Sequence, residues 1–249
     1  MLILKKSMYI KIEPFGFNVY GETIGSTWLS LVEAIIKNGD LDNDEGRKRL
    51  CLQNVRIHSE TQNLPDKIID KLGIKKNIDA IVHLTFDKEI MHDFDVVPSF
   101  SPGSKSYYAR MKEGKMIEYV VERLSNIPES KKAIISFIHW DDYKAVLAKP
   151  KDDYLPCITT VQFRLIKNKK GWKMNTIFNA RSIDAFQKAS GNLVAIVLLS
   201  KKIAKQIAKN LKVPVDLNTL DGIITDAHIY QETINDAKEL VNKYKNICN

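Results

Sequence analysis

Cys157, in Leu155-Pro156-Cys157-Ile158, stands at the start of a strand-like run. A thiolate adds readily to carbon, but it needs a cation or a helix amino terminus nearby to bring its pKa down from about 8.5. Ala180-Arg181-Ser182-Ile183-Asp184 supplies the cation if the chain doubles back between them. Cys157 and Arg181 each lie ten residues from the hinge points Lys167 and Gly171, so cross-strand pairing brings them together. The same guanidinium matches a phosphate bidentately. Asn192 offers one donor and one acceptor, the complement of a uracil O4/N3–H edge. His228 and Tyr230, in Thr225-Asp226-Ala227-His228-Ile229-Tyr230, are two polar rings spaced to grip a sugar hydroxyl. Each residue also has a plainer reading. Cys157 serves as a small buried hydrophobe, Arg181 as a surface ion pair, Asn192 as a helix cap, and His228 with Tyr230 as a capped helix start with a core tyrosine.

Other chemistries find no residues. There is no Walker loop, GxGxxG, GxSxG or HExxH pattern. His58, His83, His92, His139 and His228 lack ligand spacing. Cys51, Cys157 and Cys248 are too few and scattered for a disulfide framework or zinc site, so no metal is expected. With 44% hydrophobic and 27% charged residues in 249, the chain has the composition of an ordinary globular protein and not of a disordered one. No apolar run approaches the roughly 20 residues of a membrane helix. Met-Leu-Ile-Leu-Lys-Lys at the amino terminus carries no signal-peptide core. A reduced, cytoplasmic protein without a membrane partner is expected. The net charge of +8 comes mainly from lysines interspersed with acids. That pattern does not form the basic stripe of a nucleic-acid binder. Arginines are scarce, which makes each a candidate holder of a planar anion.

These residues need elements to position them. Short strands are expected at Tyr9 to Glu13 and Phe17 to Tyr20. A helix follows, with Trp28, Leu31, Val32, Ile35 and Ile36 on one face, closed by Asn38-Gly39. Asp40 to Arg49 reads as a polar loop, Asn54 to His58 as a strand, Ala80 to Phe86 as a buried strand, and Pro98 to Lys105 as a turn-rich loop. A second helix carries Ile117, Val120, Val121 and Leu124, and Lys132 to His139 reads as a strand. Val161, Phe163 and Leu165, then Trp172, Met174, Thr176 and Phe178, alternate with polar residues around Asn168-Lys169-Lys170-Gly171, the pattern of a long hairpin. Two closing helices are expected over Asn192 to Leu211 and about Ala227 to Lys245. Strands and helices mingle without strict alternation, which indicates an α+β fold.

The chain resembles the thymidylate synthases and their hydroxymethylase relatives. The resemblance rests on Pro156-Cys157, Gln162-Phe163, Arg181-Ser182-Ile183-Asp184-Ala185-Phe186, Asn192, and Asp226-Ala227-His228-Ile229-Tyr230, in the family's order and intervals. Ser130 to Ser136 resembles the strand whose basic pair, here Lys131 and Lys132, reaches the partner subunit's phosphate. Tyr107 to Met111 is similar to a Tyr-Gly-x-x-Trp stretch. Trp28 to Arg49 is similar to the first helix and basic phosphate loop, with Arg47 or Arg49 as the arginine. The resemblance implies one domain over residues 1–249, divergent over 1–104 and carrying nucleotide binding and catalysis over 105–249. It also implies a twisted mixed sheet packed by helices, with a sheet face forming a homodimer interface.

The resemblance further implies a C5 one-carbon transfer. Cys157 adds to C6 of a pyrimidine nucleoside monophosphate, Arg181 and Ser182 hold the phosphate, Asn192 orients the base, and His228 and Tyr230 hold the sugar. Asp184 meets the donor edge of 5,10-methylenetetrahydrofolate or a related methylene-tetrahydropterin. Asn192, where cytidylate-specific relatives carry Asp, favours dUMP, and dTMP is the expected product. There are departures. Ile158 replaces the usual His, Ala180 the usual Gln, and lysines the strand arginines. No acid matches the family's amino-terminal catalytic Glu, for which Glu60 and Glu89 are the candidates. Only nineteen residues follow Tyr230, too few for the family's long lid. A (d)CMP or dUMP 5-hydroxymethylase therefore stays open, as does a nucleotide-binding relative impaired in turnover.

Overall fold

A computed structural model describes residues 8–12, 15–87, 105–148 and 154–248; Glu13, Glu89, His92 and the loop from Pro98 to Ser104 lie outside them. The elements run β1 (Met8–Ile12), β2 (Gly16–Gly21), α1 (Ile24–Asn38), β3 (Asp40–Asp44), β4 (Arg47–Ser59), α2 (Lys67–Leu72) and α3 (Lys75–Ala80) with a π-helical turn Ile81–Thr85. Next come α4 (Tyr107–Glu113), α5 (Met116–Asn126), β5 (Ile134–Ser136), α6 (Trp140–Ala148), β6 (Ile158–Lys167), β7 (Trp172–Ala180) and β8 (Ile183–Asp184). The chain closes with α7 (Ala189–Leu211), β9 (Val215–Tyr230), a 3-10 turn Gln231–Thr233 and α8 (Ile234–Cys248).

The strands form one mixed sheet in the order β1-β2-β4-β9-β7-β6-β5, with β3 added to β4 and β8 to β9. The expected α+β class holds, and helices pack on the sheet. Inward residues such as Phe163 and Phe178 are fully buried with Trp28 of α1 and Ile196 and Ile203 of α7. The opposite face keeps the alternate residues Gln162, Arg164, Ile177 and Asn179 half-exposed.

Local chemistry sets the element ends. Thr23 and Ser26 form a reciprocal capping box at α1. Asp66 accepts from the Ile68 and Ile69 amides at the start of α2, and from Gly25 N–H across to α1. In the β6–β7 turn, Asn168 Oδ1 accepts from Lys170 N–H and Gly171 N–H at 2.8 Å each. From Thr160–Asn179 to Lys167–Trp172 the hairpin runs one residue off the expected register, and a bulge between Ile158 and Thr160 restores that register at Ile158–Ala180, beside Cys157 and Arg181.

Four segments differ from the sequence expectation. Asp40 to Arg49 is a hairpin, not a loop: β3 is charged because it pairs only with β4, and Asp42 stands opposite Arg49. Ala80 to Phe86 is helical, a short apolar run whose period did not separate strand from helix. The strand at Lys132 to His139 shrinks to Ile134–Ser136. Ala227 to Tyr230 is the end of the sixteen-residue strand β9, and the last helix starts only at Ile234.

Candidate active site

The β6–β7 hairpin joins the first pair. Arg181 N–H donates to Cys157 O at 2.9 Å. The guanidinium wraps the same segment, with Nη2 donating to Leu155 O at 2.7 Å and Nε to Pro156 O at 3.3 Å. Among the described residues these two bonds leave three of the five guanidinium N–H groups unused on an exposed side chain. Cys157 is a free, half-buried thiol. The bulge at Ile158/Thr160 lies directly beside it, at the strand end where pairing stops.

Ser182 continues from Arg181, and its Oγ lies 3.4 Å from His228 Nδ1. His228 and Tyr230 lie on the same face of β9, rings edge-on with centroids 4.7 Å apart. Their neighbours come from β4, where Arg49 stands opposite Tyr230, Cys51 opposite His228 and Gln53 opposite Asp226. Two rows of alternate residues thus meet: Arg47, Arg49 and Cys51 from β4, and Asp226, His228 and Tyr230 from β9.

The two arginines of β4 do different things. Arg49 is 8% exposed and holds Asp226 bidentately, Nη1 and Nη2 each at 2.9 Å, while Nη2 and Nε reach Asp42 at 2.7 and 3.2 Å. Arg47 lies over the Tyr230 ring, its guanidinium carbon 3.5 Å from the centroid. Its Nε and Nη2 are buried without a hydrogen-bond partner among the described residues. Of the two candidates for an anion, Arg47 is the one with donors to spare.

Asp226 opens the Asp226-Ala227-His228-Ile229-Tyr230 run, and the structure gives it a part to play. Its carboxylate accepts from Arg49, lies 2.8 Å from His228 Nδ1 and takes the Cys51 thiol at 3.2 Å. Burial works against its ionisation, but the His228 hydrogen bond and charge, with help from Cys51 and Arg49, hold it below the usual carboxylate range. Burial and the adjoining Asp226 charge push the Cys51 thiol up to about 12, so it is inert as a nucleophile. With Nδ1 on Asp226, Nε2 is the ring nitrogen left for a ligand.

Asp184 and Asn192 lie on the next elements. Asp184 is 4% exposed; Oδ1 accepts from Phe186 and Gln187 N–H at 3.0 and 2.9 Å, and Oδ2 from Gln187 Nε2 at 2.9 Å. The loop after it is tied to α1 by Trp28 Nε1 donating to Ala185 O at 2.8 Å. Asn192 lies one turn inside α7, where Lys188 holds the cap position, so capping is not its role. Lys131 and Lys132 are exposed ahead of the edge strand β5 and are not brought to these residues. Glu60 follows β4, its N–H donating to Gly21 O at 3.0 Å.

A profile of the family described as thymidylate synthase matches residues 99–248. The chain belongs to the thymidylate synthase family. Thymidylate synthases and their relatives transfer a one-carbon unit to C5 of a pyrimidine nucleoside monophosphate, so this member is a one-carbon transferase acting on a nucleotide. The match takes in Cys157, Arg181, Ser182, Asp184, Asn192, His228 and Tyr230 and leaves Arg47 and Arg49 before it. Curated proteins returned no match. Among the described residues no cluster of three or more His, Cys, Asp or Glu is arranged to hold a metal, and no helix is long and apolar enough to cross a membrane.

Proposed function

We propose that this thymidylate synthase family member converts dUMP to dTMP through a covalent bond between Cys157 and C6 of the base. The observation that carries the reading is the half-exposed thiol at the head of the hairpin, on a segment whose backbone carbonyls Arg181 holds, continuous through Ser182 with the His228–Tyr230–Arg47 group. C5 of a uracil is unreactive until a nucleophile adds at C6; the Cys157 sulfur forms that bond, and the electron pair of the C5=C6 bond moves toward C5 and O4. Arg181, Ser182 and Arg47 hold the phosphate, which fixes C6 near sulfur. His228, held by Asp226, and Tyr230 bind the sugar hydroxyl, and Asn192 takes the O4/N3–H edge.

The carbon donor is a methylene-reduced pterin, methylenetetrahydrofolate being the family's usual one. The residues present fit its donor edge: three hydrogen bonds occupy the Asp184 carboxylate, leaving acceptor capacity on Oδ2. Ser190 Oγ, at the start of α7, is buried without a hydrogen-bond partner among the described residues. When bound, this group would supply one carbon at the methylene level together with the hydride that reduces it to methyl, leaving as the dihydropterin. Lys131 and Lys132 serve a partner's site in the homodimer proposed for the family fold, which explains their distance from this one.

Incubation with 5-fluoro-dUMP and methylenetetrahydrofolate is expected to give a protein–nucleotide adduct by mass spectrometry, lost in Cys157→Ala. Absence of the adduct with every reduced pterin tried favours a nucleotide-binding relative impaired in turnover. With dUMP or CMP as substrate, gain of a methyl group supports the synthase, and gain of a hydroxymethyl group supports the 5-hydroxymethylase in its place.

A further inference from the structure

We infer that Gln187 is a positioning residue for Asp184: its side-chain amide decides which carboxylate oxygen is left for the pterin's donor edge, and in which direction. The role rests on the reading of Asp184 as the pterin's partner and adds a side chain behind it.

A carboxylate offers about four lone-pair directions, two on each oxygen. Oδ1 of Asp184 takes the Phe186 and Gln187 N–H groups at 3.0 and 2.9 Å, which fills it. Those two bonds share one atom, so by themselves they leave Oδ2 free to swing about Oδ1. Gln187 Nε2 donates to Oδ2 at 2.9 Å and removes that freedom. One lone pair of Oδ2 then remains, in a plane set by the three donors. A carboxylate only accepts, so the amide presents its NH2 and not its oxygen to it.

Gln187 is itself anchored. Its carbonyl accepts from Asn77 Nδ2 of α3 at 3.1 Å, while its N–H is committed to Oδ1. Both side chains are buried, Gln187 at 2% and Asn77 at 8% exposure, in the wall of a cleft of about 630 Å³ between α2–α3 and α8. Burying an amide is costly unless it is bonded, and the bond to Oδ2 offsets that cost. The Asp184 backbone has other holders. It pairs with His228 of β9, Ala185 N–H donates to His228 O at 2.8 Å, and Lys188 N–H donates to Asp184 O at 3.1 Å. Loss of the Gln187 amide therefore loosens the carboxylate and leaves the loop in place.

Equilibrium binding tests this without turnover. The full-length protein, Gln187→Leu, Gln187→Glu, Asp184→Asn and the Asp184→Asn/Gln187→Leu double variant are titrated by calorimetry with dUMP, then with tetrahydrofolate in saturating dUMP. Gln187→Leu is expected to weaken tetrahydrofolate about tenfold, the value of one hydrogen bond to a charged group, and to leave dUMP affinity unchanged. Gln187→Glu weakens it too, because a side chain ionised at neutral pH has no hydrogen to give. It also stands in should the leucine variant not fold; retained dUMP affinity certifies folding in each. In the Asp184→Asn background, Gln187→Leu costs nothing further, since the two act through one carboxylate. Parental tetrahydrofolate affinity in the Gln187 variants, an undiminished loss in the Asp184→Asn background, or dUMP affinity falling in step overturns the inference. Failure of the underlying reading looks different. A weakened Asp184→Asn beside unchanged Gln187 variants removes only Gln187, whereas an Asp184→Asn that binds tetrahydrofolate as tightly as the parent, or a parent that binds none, removes Asp184 from the pterin site.

Discussion

Arg47 and Arg49 are two residues apart on one strand face, yet one is committed and the other is not. Arg49 neutralises Asp226 and Asp42 and thereby fixes the carboxylate that orients His228. Removing it leaves a buried charge unpaired, so Arg49→Ala is expected to destabilise the fold by about 3 kcal/mol in urea unfolding. Arg47→Ala forfeits only the stack on Tyr230, about 1 kcal/mol or less. It should instead raise KM for the nucleotide roughly ten- to a hundredfold, the value of a charged hydrogen bond to phosphate. Equal KM in Arg47→Ala and the parent would remove Arg47 from the phosphate site. The sequence named both arginines but did not separate them, because the partners that distinguish them, Asp226 and Tyr230, come from a strand some 180 residues later.

At the level of elements, the decisive segment is β9. Asp226, His228 and Tyr230 share a face only if the backbone repeats every two residues; on a helix, positions two apart point away from each other. The apolar residues Ile234, Ala237 and Val241 continue at helical spacing, which masks the true boundary at Gln231. The same period of two gathers Arg47, Arg49 and Cys51 on β4, and the charged flank of β3 hides that strand from a propensity reading. Helix α7 depends on a different detail. A Cβ on Gly191 would lie 2.6 Å from Ile81 Cδ1 and 3.1 Å from its Cβ, so α7 approaches the π-helical turn as closely as glycine permits. Gly191→Ala is expected to cost about 1–3 kcal/mol of stability by overpacking and, through the displaced Asn192 beside it, to lower nucleotide affinity. Unchanged thermal stability and affinity would show the helix to be free to shift.

Across the whole molecule, the helix-free face of the sheet is the unexplained surface. Tyr20, His58, Asp221 and Ile177 form one cross-strand row, and Arg56, Ile223 and Asn179 form the next. Ile223 is 42% exposed in its centre, and Arg164 Nε is buried without a hydrogen-bond partner among the described residues. A homodimer across this face covers the first and gives the second an acceptor. Sedimentation should therefore find a dimer that Ile223→Asp converts to monomer; a monomeric parent refutes the interface. Acid stability is a property of the whole as well. Asp226 and Asp142 both ionise below the ordinary 3.8 in the folded state, against burial and with their His228 and Arg110 partners. Their contribution is complete above about pH 3.8 and is lost as pH falls through the lower folded values, so the unfolding midpoint should drop there, less steeply in Asp226→Asn.

The residue types and intervals alone determined the α+β class, the long hairpin, the pairing of Cys157 with Arg181 and the family. Those features are local or repeat a fixed spacing, while the register beside Cys157 is set by the bulge at Ile158/Thr160, which no turn residue announces. Tertiary structure alone decided that Asp226 sets His228, that Arg47 and not Arg49 keeps donors free, and that Asp184 is largely satisfied by its own loop. Each of these depends on which side chains from distant strands and helices share a buried space. Hydrogen-bond satisfaction in that space is decided by packing, which no one-dimensional period encodes.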